Sequence, residues 1–109
     1  MRVQSGGTTA PIPPVTEPTW EVRYKRSVAA DVRRLDASTR LRVRAAIEER
    51  LVADPRAGKR LSGLRERETR RPLWSLRVGD YRVIYAFSDS ELWVLVVRVG
   101  PRGAVYREL

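Results

Sequence analysis

The chain has 109 residues, enough for one domain and rarely for two. It contains no Cys and no His, which excludes disulfides, thiolate or imidazole metal sites, and Ser-His or Cys-His nucleophile systems. Lys and Arg number 22 against 13 Asp and Glu, a net charge of +9. Such a balance points to a polyanionic partner: nucleic acid, the ribosome or an acidic protein. An Arg-rich composition inherited from a GC-rich genome is the alternative, so the placement of individual arginines matters more than their total. No acidic cluster has metal-ligand spacing, and neither a metal nor a cofactor is expected. The longest strongly apolar run, Leu92 to Val97, is too short to cross a bilayer, and no apolar leader core stands at the N-terminus. A cytoplasmic location without membrane contact is the expectation.

Residues 1–19 read as a disordered tail. Ser5 to Ala10 is flexible by composition, and Pro11, Pro13, Pro14 and Pro18 resist both helix and ladder. The tail's two charges, Arg2 and Glu17, cancel, so the +9 belongs to a domain spanning residues 20–109.

Trp20 to Tyr24 alternates apolar and charged residues, the pattern of a half-buried strand. Ser27 is a fair helix cap, and Val28, Val32 and Leu35 recur at helical spacing. Asp36 can cap a second, longer helix to about Ala53, with Val43, Ile47 and Leu51 as its apolar stripe. Its arginines read mostly as a solvated face. Asp54-Pro55 ends it, and residues 56–72 read as a basic loop. Three strands joined by short turns follow: Leu73 to Val78, Tyr81 to Phe87, and Glu91 to Val99. The order is β-α-α-β-β-β, an α+β fold in which one antiparallel sheet carries a helical hairpin on one face.

Arg82 breaks an otherwise apolar strand. Alternation puts it on one face with Ile84 and Ala86, and puts Tyr81, Val83, Tyr85 and Phe87 on the other. It is either an arginine paired with Asp80 or Asp89, or a rigidly held guanidinium offering its planar fork to a phosphate. Arg77 and Arg98 are candidates for the same face, although the strand register is not legible. Arg102 and Tyr106 follow the last strand past a glycine, where active groups tend to lie. Lys59 and Arg60 in the basic loop are candidate phosphate contacts. Trp20, Trp74 and Trp93 read as packing residues before base-stacking platforms.

The string from Leu73 to Tyr85, LWSLRVGDYRVIY, resembles the signature of the RelE/ParE superfamily of toxin–antitoxin toxins. The string from Val97 to Arg107, VRVGPRGAVYR, resembles that family's closing motif, and Leu61-Ser62-Gly63-Leu64 matches a frequent family turn. The resemblance covers Trp20 to Arg107. It implies a type II toxin with a cognate antitoxin as partner, and a metal-independent endoribonuclease that cuts mRNA on the ribosome. It places the transition-state arginine at Arg82 and the C-terminal arginine and tyrosine at Arg102 and Tyr106, with Arg77 among the basic residues of the preceding strand. Two positions depart from the pattern. Ser75 stands where Lys or Arg is frequent, and Pro101 where His or Lys is usual. These departures leave open a relative that poisons DNA gyrase without cutting RNA, or an inactive basic nucleic-acid-binding relative.

Overall fold

The computed structural model describes residues 20–103 and Val105. The expected tail over residues 1–19 lies outside the described residues. Strand β1 (Glu21–Tyr24) leads into helix α1 (Arg26–Arg33) and helix α2 (Ala37–Ala46). Four strands follow: β2 (Lys59–Arg65), β3 (Pro72–Val78), β4 (Tyr81–Ser88) and β5 (Trp93–Pro101). The spatial order is β1-β5-β4-β3-β2 in one five-stranded sheet.

Asp36 caps α2, its Oδ1 accepting the Thr39 N–H at 2.8 Å, as a side-chain oxygen at an N-cap does. The helix continues through a wide turn, Ile47–Leu51, so Val43, Ile47 and Leu51 stay in one buried stripe. Ser27 does not cap α1. Lys25 holds that position without a side-chain capping bond, and the Ser27 hydroxyl donates instead to the Val97 carbonyl at 2.8 Å. Both helices bury their stripes against one sheet face, where Val28, Leu35, Val43, Ile47 and Leu51 meet Leu76, Val83, Tyr85, Val94 and Val96.

Two expectations need correction. Residues 56–72 are not a loop: they hold a short 3-10 turn (Pro55–Ala57) and strand β2 at the sheet edge. Its apolar residues, Leu61 and Leu64, stand three apart rather than two, and its pairing with β3 is irregular between Arg60 and Arg65, so no period-2 signal exists to read. The sheet is also mixed rather than antiparallel. β1 runs parallel to β5, with Val22 opposite Val94 and Tyr24 opposite Val96. A pairing between the first and last strands is non-local, and β1's own alternation carries no information about its partner.

The face turned away from the helices, called the open face below, holds a smaller apolar cluster of Leu73, Ile84, Ala86, Val97 and Val105. On β5 the register slips between its two halves. Ile84 faces Arg98 and Tyr85 faces Val96, which leaves Val97 without a partner. This is a β-bulge, and it puts Val97 and Arg98, consecutive residues, on the open side together.

Candidate nucleic-acid interface

The site forms around the tight β3–β4 turn. Gly79 takes φ +60 there, a conformation glycine adopts without steric cost. The two flanking strands then place Arg77 directly opposite Arg82. Both fall on the open face, since Arg82 alternates with Ile84 and Arg77 with Ser75. On its other side Arg82 faces Gly100 of β5, which has no side chain to crowd it. The Arg102 N–H donates to the Asp80 carbonyl at 3.1 Å, fixing the start of the C-terminal segment beside the same turn. Arg77, Arg82 and Arg102 are thus brought to one end of the open face.

Their partners are few. Arg77 Nε donates to the Gly79 carbonyl at 3.2 Å. Among the described residues the side chains of Arg82 and Arg102 make no ion pair or hydrogen bond, and Asp80 pairs with neither. Asp89, the other acid considered for Arg82, is bound to Arg56 at 2.7 Å. Like charges directly opposite one another on a sheet are destabilising. An arrangement that leaves them unpaired suits a ligand whose negative charge completes it.

A family model described as the ParE toxin of the type II toxin–antitoxin system parDE matches residues 22–106. The chain belongs to the ParE toxin family. No curated protein matches it. Among solved structures, this ParE-family toxin is similar to a chain of the RelBE2 toxin–antitoxin complex from Mycobacterium tuberculosis. The two are 28% identical with a TM-score of 0.64, over 77% of this chain and 92% of that one. A chain of the intact RelBE complex from E. coli is 23% identical with a TM-score of 0.59, over 76% and 96%. A chain of the archaeal RelE–RelB complex from Pyrococcus horikoshii is 23% identical with a TM-score of 0.57, over 81% and 100%. The last two likenesses speak to the fold alone, and together the three place the toxin among RelE/ParE folds.

The other expected site residues of the ParE-family toxin are scattered. Lys59 faces Ser75 and shares the open face, one row from the arginine pair. Arg60 faces Trp74 and lies on the helix side of the sheet, away from Arg82. Arg98 is committed elsewhere: its Nε and Nη2 donate to Asp31 of α1 at 2.9 and 3.0 Å. Tyr106 lies outside the described residues. Its neighbour Val105 is buried in the open-face cluster, packed over Gly100 next to the Arg82 row. Trp20 and Trp74 pack on Phe87 at 6.2 and 5.3 Å between ring centroids. Trp93 is buried, with Arg23 and Arg71 near its ring.

Two further arginines reach the turn from the helical layer. Arg42 Nη2 lies 2.6 Å from where a Cβ on Gly79 would stand, and Arg50 Nη1 donates to the Arg77 carbonyl at 3.4 Å. Sequence reasoning put both on a solvated helix face. The signal that marks them is position: each immediately precedes a residue of the buried stripe, Val43 and Leu51, so each lies on the rim where helix meets sheet. Five guanidinium groups therefore surround one turn. Among the described residues no group of three His, Cys, Asp or Glu side chains is placed to hold a metal ion, and no helix is long and apolar enough to cross a membrane.

Proposed function

We propose that this ParE-family toxin is a ribosome-dependent mRNA endonuclease that inhibits translation, with Arg82 at the scissile phosphate. The observation that carries this reading is the Arg77–Arg82 pair, opposed on an open sheet face without an acidic partner among the described residues. Two forks in that relation match the oxygens of a phosphate. In the reaction, a 2′-hydroxyl attacks the adjacent phosphorus, a cyclic phosphate forms and a 5′-hydroxyl leaves. Charge accumulates on the phosphoryl oxygens, so fixed guanidinium groups act where it develops. Arg82 clamps those oxygens, Arg77 supports it, and Arg102 serves the leaving-group side. Tyr106 orients the nucleotide or takes the nucleophile's proton. Lys59 contacts the backbone further along, whereas Arg98, bound to Asp31, and Arg60, on the helix side of the sheet, take no part in holding the phosphate. No metal or cofactor enters the scheme.

A second reading has its own observations. The matching family model is that of ParE, and an arginine is a poor proton acceptor at neutral pH. The same cluster would then serve a gyrase-poisoning toxin that cuts nothing. Primer extension on mRNA in a purified translation system decides between them. Stops within codons that depend on added toxin support the nuclease. Gyrase-dependent DNA cleavage complexes without such stops support the second reading and remove the first.

A cognate antitoxin is the expected protein partner. The solved neighbours are themselves toxin–antitoxin complexes. A groove of about 720 Å³ lies along α1 and α2, floored by Val28, Val32 and Leu35 and edged by Arg40 and Arg44. That chemistry suits an acidic amphipathic segment, whose association would be fast and salt-sensitive. Co-purification with the product of an adjacent small reading frame, and an association rate that falls with added salt, are the expected results.

A further inference from the structure

At the far end of the open face from the arginine pair lies a cavity of about 320 Å³ between the start of α1, the end of β2 and the bulge of β5. Its floor is apolar, from Leu73 and Val97. Its walls carry Lys25, Arg26, Arg65, Arg67 and Arg98, against a single acid, Glu66.

The charges sort into two kinds. Lys25 is neutralised by Glu66, with Nζ 2.6 Å from Oε2. Glu66 Oε1 already accepts the Glu68 and Thr69 N–H groups at 3.1 and 2.6 Å. Arg98 is neutralised by Asp31, whose Oδ2 also accepts the Val99 N–H at 2.9 Å. Three guanidinium groups are left over. Arg65 donates only to a carbonyl, that of Arg70, at 2.9 Å. The side chains of Arg26 and Arg67 have neither hydrogen bond nor ion pair among the described residues. Asp31 and Glu66 are saturated, and the one further acid, Glu68, lies 3.4 Å from Lys25, so five cations against three carboxylates leave an excess of positive charge around a concave space.

The cavity shares a face with the arginine pair. Leu73 and Arg77 lie on the same side of β3, four residues apart, which is about 13 Å along a strand. Lys59 stands on that face between them, opposite Ser75. One continuous basic track therefore joins the cavity to Arg82.

We propose that this cavity is a second phosphate-binding subsite, in which Arg26, Arg65 and Arg67 hold a backbone phosphodiester of the same single-stranded RNA whose other phosphate lies at Arg82. The inference rests on the RNA reading given above. The cavity acts through affinity and placement rather than through the reaction: it fixes which stretch of the strand lies across the sheet. Phosphate contacts position a strand without reading its sequence, so the subsite is indifferent to base identity.

The test measures binding of a 5′-labelled 12-nucleotide single-stranded RNA by fluorescence anisotropy over a range of salt, for the full chain and for R26A/R67A, R26K/R67K and R82A. Each single-strand phosphate contact contributes a salt slope of about 0.7. For R26A/R67A the expected result is a slope smaller by up to about 0.7, the share of one phosphate, and affinity lower by roughly tenfold, with the slope retained in R26K/R67K. If the alanine pair melts early, R26Q/R67Q, which keeps polar stems, reads the same quantity. An unchanged slope in R26A/R67A beside a reduced one in R82A overturns the subsite and leaves the RNA reading standing. Failure of the unaltered chain to bind the RNA at low salt overturns both. Weakened binding of a labelled Glu-rich peptide by R26A/R67A, with RNA binding unmoved, assigns the cavity to a protein partner and overturns the subsite as well.

Discussion

Arg98 donates from Nε and Nη2 to the two carboxylate oxygens of Asp31, and the same carboxylate accepts the Val99 N–H. Asp31 is buried, only 4% exposed, and α1 is joined through it to the strand that carries the bulge. Removing one partner of a buried pair strands the other, at a cost of about 3–5 kcal/mol. Asp31→Ala is therefore expected to lower the melting temperature by about 12 °C or more, at roughly 4–8 °C per kcal/mol for a domain this size. The double variant Asp31→Ala/Arg98→Met should recover much of the loss, because no buried charge is left alone. A single variant that melts close to the unaltered protein would show that the pair adds nothing.

Arg82→Ala should abolish most toxicity without loosening the fold. Loss of a fixed donor at a developing negative charge costs about 3 kcal/mol, or 100-fold and more in rate. Stability should hold or rise slightly, since the change removes one of two opposed like charges, worth up to about 1 kcal/mol. Growth arrest at an unchanged dose, with the variant folded, would reduce Arg82 to a structural residue.

Gly58 and Tyr85 form a third testable contact. The Tyr85 hydroxyl accepts the Gly58 N–H at 3.2 Å and donates to the Pro55 carbonyl, pinning the turn before β2 to the centre of the sheet. Burial pushes the phenol up to about 12, so it remains a donor across the physiological range. A Cβ on Gly58 would stand 2.5 Å from that oxygen and 2.6 Å from the Ser75 carbonyl oxygen. Gly58→Ala should cost about 1–3 kcal/mol from overpacking. Tyr85→Phe should cost a similar amount, about 1–3 kcal/mol, from unsatisfied groups. Urea midpoints measure both, and the double variant should fall short of their sum because the sites touch.

Acid stability should turn on Glu66. Burial by itself pushes its carboxyl up, but the Lys25 ammonium and the N–H groups of Thr69 and Glu68 outweigh this and hold it at about 2, from an ordinary 4.5. A carboxyl depressed in the folded state contributes stability in full above its unfolded value, and that contribution is lost as pH falls through the folded one. The window is thus pH 4.5 down to about 2, and the contribution is on the order of 3 kcal/mol. Unfolding free energy followed across this window should fall more steeply in the unaltered chain than in Glu66→Gln, and equal slopes would discount the carboxylate.

What the sequence made legible was local. The β3–β4 hairpin shows in its period-2 alternation around Gly79-Asp80, and α2 in the stripe of Val43, Ile47 and Leu51. The same alternation separated Arg82 from Tyr85 correctly onto opposite faces. What stayed hidden depends on contacts between distant segments. The parallel seat of β1 beside β5, the irregular edge strand β2, the capture of Arg98 by Asp31 and the reach of Arg42 and Arg50 to the turn leave no trace in spacing alone. Arg60 and Lys59 are neighbours in sequence and look equivalent there, yet the pleat sends them to opposite sides of the sheet.

The bulge at Val97 has a consequence for insertions and deletions. It shifts β5 out of phase with itself: before it, Leu95 and Trp93 share the open side, and after it Arg98 and Gly100 do. Deleting Val97 would let Val96, opposite Tyr85, be followed directly by Arg98, opposite Ile84, so the two halves would join in regular alternation with Val99 and Gly100 on their present faces. The strand would lose only the Val97 side chain from the open-face cluster and the carbonyl that accepts the Ser27 hydroxyl. A single-residue deletion scan along β5 should thus find residue 97 the most tolerant frame, because a residue lost elsewhere turns one flank of the strand over by one pleat.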